Sequence, residues 1–202
     1  SPSGLNWEEF CQRGYLRGER RFRKYLKDGF STPTGKVEFH SIIMERLGYD
    51  PLPGYLDPPE TPWPSTALSE SFPFQLITGA RIPPFFHTEN RLPGPLRQMR
   101  PDPLIEIHPD DAGKKGIEGG DWVAISSPRG QVRQRAVITD RVPPGVVAAD
   151  HGWWFPEMED DLGWDRANID ILTDNAYETC DPAMGSTNLR VLLCDIKKAE
   201  EE

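Results

Sequence analysis

Residues 74–88 read FQLITGARIPPFFHT, and the rest of the chain is organised around them. Phe74, Leu76 and Ile77 form a short apolar run of aromatic and branched side chains, which predicts a strand. Thr78-Gly79 ends it, because Gly79 tolerates positive φ and lets a ligand approach the backbone closely. Arg81 follows two residues later, then a rigid Pro83-Pro84 turn, then His87-Thr88. A strand that opens into Gly and Arg, with freed backbone N–H groups, suits a phosphate or a carboxylate. On these residues alone, an ordinary surface turn with a solvated arginine fits as well.

Composition sets the bounds. The 202 residues are 37% hydrophobic and include 21 prolines, which suggests one compact core with long extended arms. A net charge of −9 argues against general nucleic-acid binding, which needs a basic face. Cys11, Cys180 and Cys194 are scattered and odd in number. Without a CxxC or Cys/His cluster they predict neither a disulfide framework nor a zinc or iron–sulfur site. No apolar run approaches the ~18 residues that span a bilayer. Ser1-Pro2-Ser3-Gly4 is neither a signal peptide nor an initiator methionine, so the chain is expected to be cut from a larger polypeptide, and the compartment stays open.

Along the chain, residues 6–28 predict one helix, capped by Asn6, with Glu8 and Glu9 in its first turn and Gly29 at its end. Its basic end, Arg20 to Lys27, reads as a solvated face or as a patch for an anionic partner. A turn and a short strand at 36–39 follow, then a helix over 41–47 stopped by Gly48. Residues 51–64 carry six prolines and read as an extended arm that lies on another surface. The expected division is a helical and proline-rich segment, 1–70, and a domain, 71–202. Residues 92–103 read as a loop beside Arg91, Arg97 and Arg100. A strand at 104–107 leads to a helix with Pro109 in its first turn and Gly116 at its stop. Residues 121–127 and 131–139 flank Pro128-Arg129-Gly130 as a hairpin. Further strands are expected at 146–149 and 189–196, an acidic loop at 157–165, a short element at 167–174, and fraying over 197–202. Many short strands with few helices suggest a closed barrel.

Several motifs then fall in one order: Thr78-Gly79-Ala80-Arg81 with His87-Thr88; Ile107-His108-Pro109-Asp110-Asp111-Ala112; Gly120-Asp121-Trp122-Val123; Arg141-Val142-Pro143-Pro144-Gly145-Val146-Val147; His151-Gly152-Trp153-Trp154; Ala167-Asn168; and Asp181-Pro182 with Gly185-Ser186-Thr187. This series resembles the C-terminal molybdopterin-dinucleotide-binding domain of the dimethyl-sulfoxide-reductase/formate-dehydrogenase family, over residues 74–197. Upstream, Thr32-Pro33-Thr34-Gly35-Lys36-Val37-Glu38 resembles the segment that leads into that domain. The resemblance implies a mainly β fold, a six-stranded double-psi β-barrel with short helices and an extended N-terminal arm.

It also implies a set of cofactor-binding residues. Thr78, Gly79 and Arg81 would meet a phosphate or the polar edge of a pterin, with a structural salt bridge as the alternative role for Arg81. His87 would donate to a pyrophosphate oxygen or a pterin nitrogen, and Thr88, or Glu89 beside it, would add a polar group. His151 would reach toward the cofactor or the substrate pocket. Trp153 reads as packing or as a flat contact. Asn168 would offer a donor and an acceptor to a pterin or guanine edge, and Ser186 and Thr187 would approach from the last loop.

The family's metal ligand comes from an upstream domain, and no cysteine here matches it. The resemblance therefore implies bis(molybdopterin guanine dinucleotide) with molybdenum or tungsten, bound jointly with upstream domains of the same catalytic subunit. Any iron–sulfur cluster would sit upstream or in an electron-transfer subunit. The expected function is to position the pterin dinucleotide for two-electron chemistry, and the fragment alone is not expected to be catalytic. The same domain in a non-redox hydratase or transhydroxylase, and a free-standing double-psi barrel binding module, remain open at this point.

Overall fold

The computed structural model describes residues 4–16, 18, 20–55, 57–63, 66–83, 85–92, 94–158, 161–181 and 184–200. The chain divides into two compact units, Ser1–Tyr55 and Leu56–Glu202.

In the first unit none of the described residues is buried. It holds three short helices, α1 (Trp7–Arg13), α2 (Tyr25–Asp28) and α3 (Ile42–Arg46). Asn6 caps α1 in a reciprocal box with Glu9, both bonds 2.9 Å long. The single helix expected over 6–28 is not formed. Gly14, at φ 75°, turns left-handed and its N–H closes on Phe10 O, which ends α1 early. Gly29 ends α2, as expected, and Ser41, expected inside the helix, instead caps α3. The strand expected at 36–39 is also absent. Gly35 is left-handed, and Thr32 Oγ1 donates to Lys36 O while the Glu38 carboxylate accepts from Thr34 N and Oγ1. These bonds spend the local polar groups on a turn.

The second unit is a closed barrel. Helix α4 (Ala67–Ser71) precedes strand β1 (Phe74–Ile77). Then come α5 (Gly94–Met99), β2 (Leu104–Ile107), α6 (Pro109–Lys115), β3 (Trp122–Ser127), β4 (Gly130–Ile138) and β5 (Val146–Ala149). Helix α7 (Trp164–Ala167) and a 3-10 turn (Ile169–Leu172) lead to the last strand, β6 (Arg190–Lys198). Around the barrel the order is β1-β5-β2-β4-β3-β6, with β1·β5 and β2·β4 parallel and the other seams antiparallel. This is the double-psi barrel, mainly β with short helices. Alternate residues point inward: Leu76, Ile105, Ile107, Val123, Ile125, Leu192, Cys194 and Ile196 are fully enclosed. Each large aliphatic among them contributes about 1.5–3 kcal/mol by burial.

The described part of residues 51–64 has no helix or strand, and within the second unit Glu60 is held against the barrel. Buried Glu60 accepts from Leu193 N at 2.7 Å and pairs with Arg129, so one side chain pins the arm to β6 and to the β3–β4 turn. Three local expectations fail here. Residues 92–103 are not all loop, because α5 forms within them. The acidic stretch 157–165 ends in a 3-10 turn (Asp161–Gly163) and the start of α7, while Glu159 and Asp160 lie outside the described residues. Lys197 and Lys198 do not fray but pair with Ala124 and Val123, because β3 is long enough to need partners there. Pro84, Pro182, Glu201 and Glu202 also lie outside the described residues.

Candidate functional site

Barrel topology gathers the site. Strands β1 and β5 are parallel neighbours, with Ile77 opposite Ala148, so the loops that leave them emerge from the same end. Strand β6 runs against β1 with Arg190 opposite Ile77, so the loop entering it arrives at that end too. Residues 78–91, 150–158 and 184–189 are therefore neighbours by construction of the sheet. Thr78 Oγ1 closes this rim by donating to Leu189 O at 2.5 Å.

Gly79 has φ 89°, and a Cβ there would meet nothing within 4 Å, so its face is open. Arg81 is exposed, with its guanidinium carbon 5.2 Å from the centre of the Phe86 ring. His87 takes a left-handed φ of 53°, an uncommon conformation that a side chain adopts only when its surroundings hold it. What holds it is the facing segment. His87 Nδ1 lies 2.9 Å from His151 Nε2, and Phe86 stands edge-on to the His87 ring. Gly152, at φ 63°, allows this approach: a Cβ on it would sit 3.0 Å from Thr88 Cγ2.

Beneath the pair lies an arginine that the sequence reading left in a loop. Arg91 is 1% exposed, and its guanidinium carbon is 4.2 Å from the Trp153 ring centre and 4.7 Å from that of Phe85. Its Nη2 donates to His151 O at 2.9 Å. Burial pushes Arg91 down to about 10. Asp150 opposes that shift, and Arg97 and Arg100 add to it. His151 is also held below the usual imidazole value, first by burial and then by His87 and Arg91, against Asp150 and Asp170. Across the 2.9 Å contact one ring nitrogen must donate and the other accept.

Two further residues fix this geometry. Asp150 accepts from Arg100 at 2.8 and 3.1 Å and from Leu104 N at 2.8 Å. Gln134, wholly enclosed on β4, donates to Asp150 O at 2.8 Å and accepts from Asp150 N at 3.0 Å, and its Nε2 is 3.4 Å from Ala167 O. One side chain thus ties the residue before His151 to the residue before Asn168.

The expected residues therefore divide. Arg81, His87, Thr88, His151 and Trp153 form one contiguous cluster, with Gly79 and Thr78 on the adjoining rim. Trp153 is fully buried and edge-on to Phe85, so its ring serves packing. Asn168 is half-buried and caps the following turn through Oδ1, which accepts from Asp170 N at 3.1 Å. Ser186 and Thr187 lie on the last loop, where Ser186 O accepts from Asp181 N at 2.8 Å. Arg91, Gln134, Asp150 and Arg100 were missed. The only signal for the arginines was their recurrence at 91, 97 and 100, and Gln134 sits at an inward position between Val132 and Ala136.

A cavity of about 510 Å³ opens beside the cluster, lined by Thr88, Glu89, Asn90, Arg91, Leu92 and Trp154. Open Gly79, exposed Arg81 and the histidine pair together offer a flat, acceptor-rich anion both N–H donors and positive charge. Among the described residues no group of three or more His, Cys, Asp or Glu is placed to hold a metal ion.

The family described as the molydopterin dinucleotide binding domain matches residues 74–190. A dopamine dehydroxylase from Eggerthella lenta is 38% identical over 181 residues, 87% of this chain and 18% of that protein. An acetylene hydratase from Syntrophotalea acetylenica is 33% identical over 203 residues, 94% of this chain and 27% of that protein. The solved acetylene hydratase from Pelobacter acetylenicus superposes with a TM-score of 0.85 at 31% identity, over 98% of this chain and 28% of its own. The chain thus spans between 18% and 27% of the length of these curated relatives. By fold, by residue order and by match, it belongs to the molybdopterin-dinucleotide-binding domain family of the dimethyl-sulfoxide-reductase enzymes.

Proposed function

We propose that residues 71–202 form the cofactor-binding barrel of a molybdenum or tungsten bis(molybdopterin guanine dinucleotide) oxidoreductase, with residues 1–70 as the segment entering from the preceding domain. The observation that carries this reading is the convergence of Gly79, Arg81, the His87–His151 pair and Gly152 at one end of the barrel. When bound, the cofactor supplies the metal and the electrons. The chain supplies binding and orientation. Arg81 offers its fork to a phosphate or a pterin edge. His87 offers an imidazole nitrogen from an exposed loop, and His151 keeps that ring in place. Thr78, Thr88, Asn168, Ser186 and Thr187 add polar groups around the same rim.

In this reading the metal's protein ligand, any iron–sulfur cluster and the electron-transfer partner belong to other parts of the enzyme. The relatives support a role inside a larger catalytic subunit, and the oxidation-state change is the proposal's finer part. A hydratase reading stays open on one observation: the 33% identity to an acetylene hydratase extends over 94% of this chain. The test is to purify the enzyme that carries this chain, quantify guanine nucleotide and metal released on denaturation, and titrate the metal with a reductant. About two dinucleotides per metal and a reversible two-electron change support the oxidoreductase. Full cofactor content with a metal that never cycles during turnover identifies the non-redox reading. Absence of the dinucleotide rejects both.

A further inference from the structure

Among the described residues, no carboxylate forms an ion pair with the buried guanidinium of Arg91. Three cations, Arg91, Arg97 and Arg100, surround Trp153 and Asp150. Glu157 pairs with Arg97 at 3.0 Å, and Asp150 with Arg100 at 2.8 Å. The remaining charge is the one most deeply enclosed. Arg91 spends Nη2 on a carbonyl oxygen, while its Nε and Nη1 find no acceptor among the described residues. One more buried donor nearby, Trp153 Nε1, is equally unmatched. Leaving such donors unpaired in a dry site is costly, and most of all for a charged group. Three unmatched donors, Arg91 Nε and Nη1 with Trp153 Nε1, describe a place made for an acceptor. The 510 Å³ cavity, which Arg91 lines together with Glu89, Asn90 and Leu92, gives it an entrance.

We propose that Arg91, assisted by Trp153 Nε1, is the floor of an oxyanion site whose occupant comes from outside these 202 residues. The oxyanion is either a phosphate of the bound dinucleotide or a carboxylate from another part of the same polypeptide. The phosphate source rests on the cofactor reading above, and the carboxylate source does not.

The test uses the whole enzyme, with and without cofactor, and the variants Arg91→Met and Trp153→Phe. Methionine keeps the apolar stem among the rings and removes the charge. Thermal unfolding is followed with inorganic pyrophosphate as the probe, against chloride at matched ionic strength. If the source is phosphate, pyrophosphate raises the melting temperature of the cofactor-free wild type. Arg91→Met then abolishes that response and lowers the melting temperature only of the loaded form. Trp153→Phe weakens pyrophosphate binding by about tenfold, the loss of one charge-assisted bond. If the source is a carboxylate, pyrophosphate has no effect and Arg91→Met destabilises both forms, because an acid elsewhere loses its partner. The proposal is overturned if Arg91→Met is neutral or stabilising in both forms, the behaviour of an uncompensated buried cation. It is also overturned if Glu159→Gln with Asp160→Asn reproduces the Arg91→Met loss, which would place the counter-ion within this chain. An enzyme without dinucleotide would sink the cofactor reading alone, since the carboxylate outcome is read on cofactor-free protein.

Discussion

His87 Nδ1 and His151 Nε2 stand 2.9 Å apart, so the two rings share one hydrogen between them. Two protonated rings would turn two donors toward each other, and Arg91 beneath adds a further positive charge. Burial and these neighbours hold His151 below its ordinary value. The pair also couples an exposed loop, at a strained left-handed φ, to a half-buried strand end.

That coupling predicts an acid-sensitive fold. His151 has a folded pKa below its ordinary 6.5, with burial as the first cause. A base with a depressed folded pKa binds its proton more readily when unfolded, so protonation favours unfolding. The stabilisation is complete above about 6.5 and declines as pH falls from there toward the folded value. Melting temperatures of the cofactor-free enzyme between pH 7.5 and 5 should fall, and His151→Gln should flatten the slope. An unaltered slope in that variant would show that His151 carries none of it.

Gln134 predicts the opposite trend when made acidic. In Gln134→Glu one oxygen still accepts from Asp150 N, but the other faces the carbonyl oxygens of Asp150 and Ala167. Burial and those carbonyls favour the protonated acid, so the new pKa is raised. We expect a loss of about 3 kcal/mol at neutral pH, partly recovered as the pH falls and the acid donates to a carbonyl. Denaturant titrations at pH 7.5 and 5.5 decide it. A loss that is equal at both values would mean that the side chain has turned away.

Gly152→Ala separates space from backbone strain. Its Cβ would meet Thr88 Cγ2 at 3.0 Å, and its φ of 63° disfavours any side chain. The backbone term costs about 1–2 kcal/mol. Displacement of residues 87–88 should lower cofactor occupancy as well. Adding Thr88→Ser removes the facing methyl, so occupancy should recover while the melting temperature does not. Recovery of both would show that crowding was the whole effect.

Asp150→Asn should destabilise the fold about as much as Gln134→Glu does at neutral pH. The carboxylate takes three bonds from Arg100 and one from Leu104 N, and losing its charge leaves the partly enclosed Arg100 without that counter-charge. A cost of about 3 kcal/mol is expected by equilibrium unfolding. A change under 1 kcal/mol would assign Arg100 to solvent.

What the sequence made legible was local or periodic. The hairpin at 128–130, the Pro109 and Gly116 ends of α6 and the cap at Asn6 depend on neighbours in the chain, and the structure has them. The misses share a different cause. Gly14 lies inside an otherwise good helical pattern, and only its left-handed turn ends α1 there. Helix α5 runs through Pro95, which punctuates like a loop. Arg91 and Gln134 are polar residues buried by partners 60 and 16 positions away. No window of sequence shows such a partner. The resemblance supplied the rim residues of the site, while the buried groups that hold His151 in place became visible only in the fold.

The last prediction concerns Arg81. The alternative to a cofactor contact is a structural salt bridge, and among the described residues the contact found for its guanidinium is a ring, Phe86, at 5.2 Å. An exposed cation–π contact contributes about 0.5–1 kcal/mol, so Arg81→Ala should leave the melting temperature of the cofactor-free enzyme near wild type. The backbone at Gly79 turns without help from that side chain. If the guanidinium meets a phosphate or pterin edge, removing it costs about 1.5–3 kcal/mol of cofactor binding. The expected result is at least a tenfold loss of affinity, since about 1.4 kcal/mol corresponds to tenfold. Arg81→Lys should recover only part of it, because an ammonium keeps the charge and loses the fork. Phe86→Leu gives the control: it removes the ring without touching the charge, so it should shift occupancy less than Arg81→Ala. Cofactor content per protein, measured beside melting of the cofactor-free form, separates the outcomes. Unchanged occupancy in Arg81→Ala would remove Arg81 from the site. A large loss of cofactor-free stability would instead make its contact with Phe86 structural.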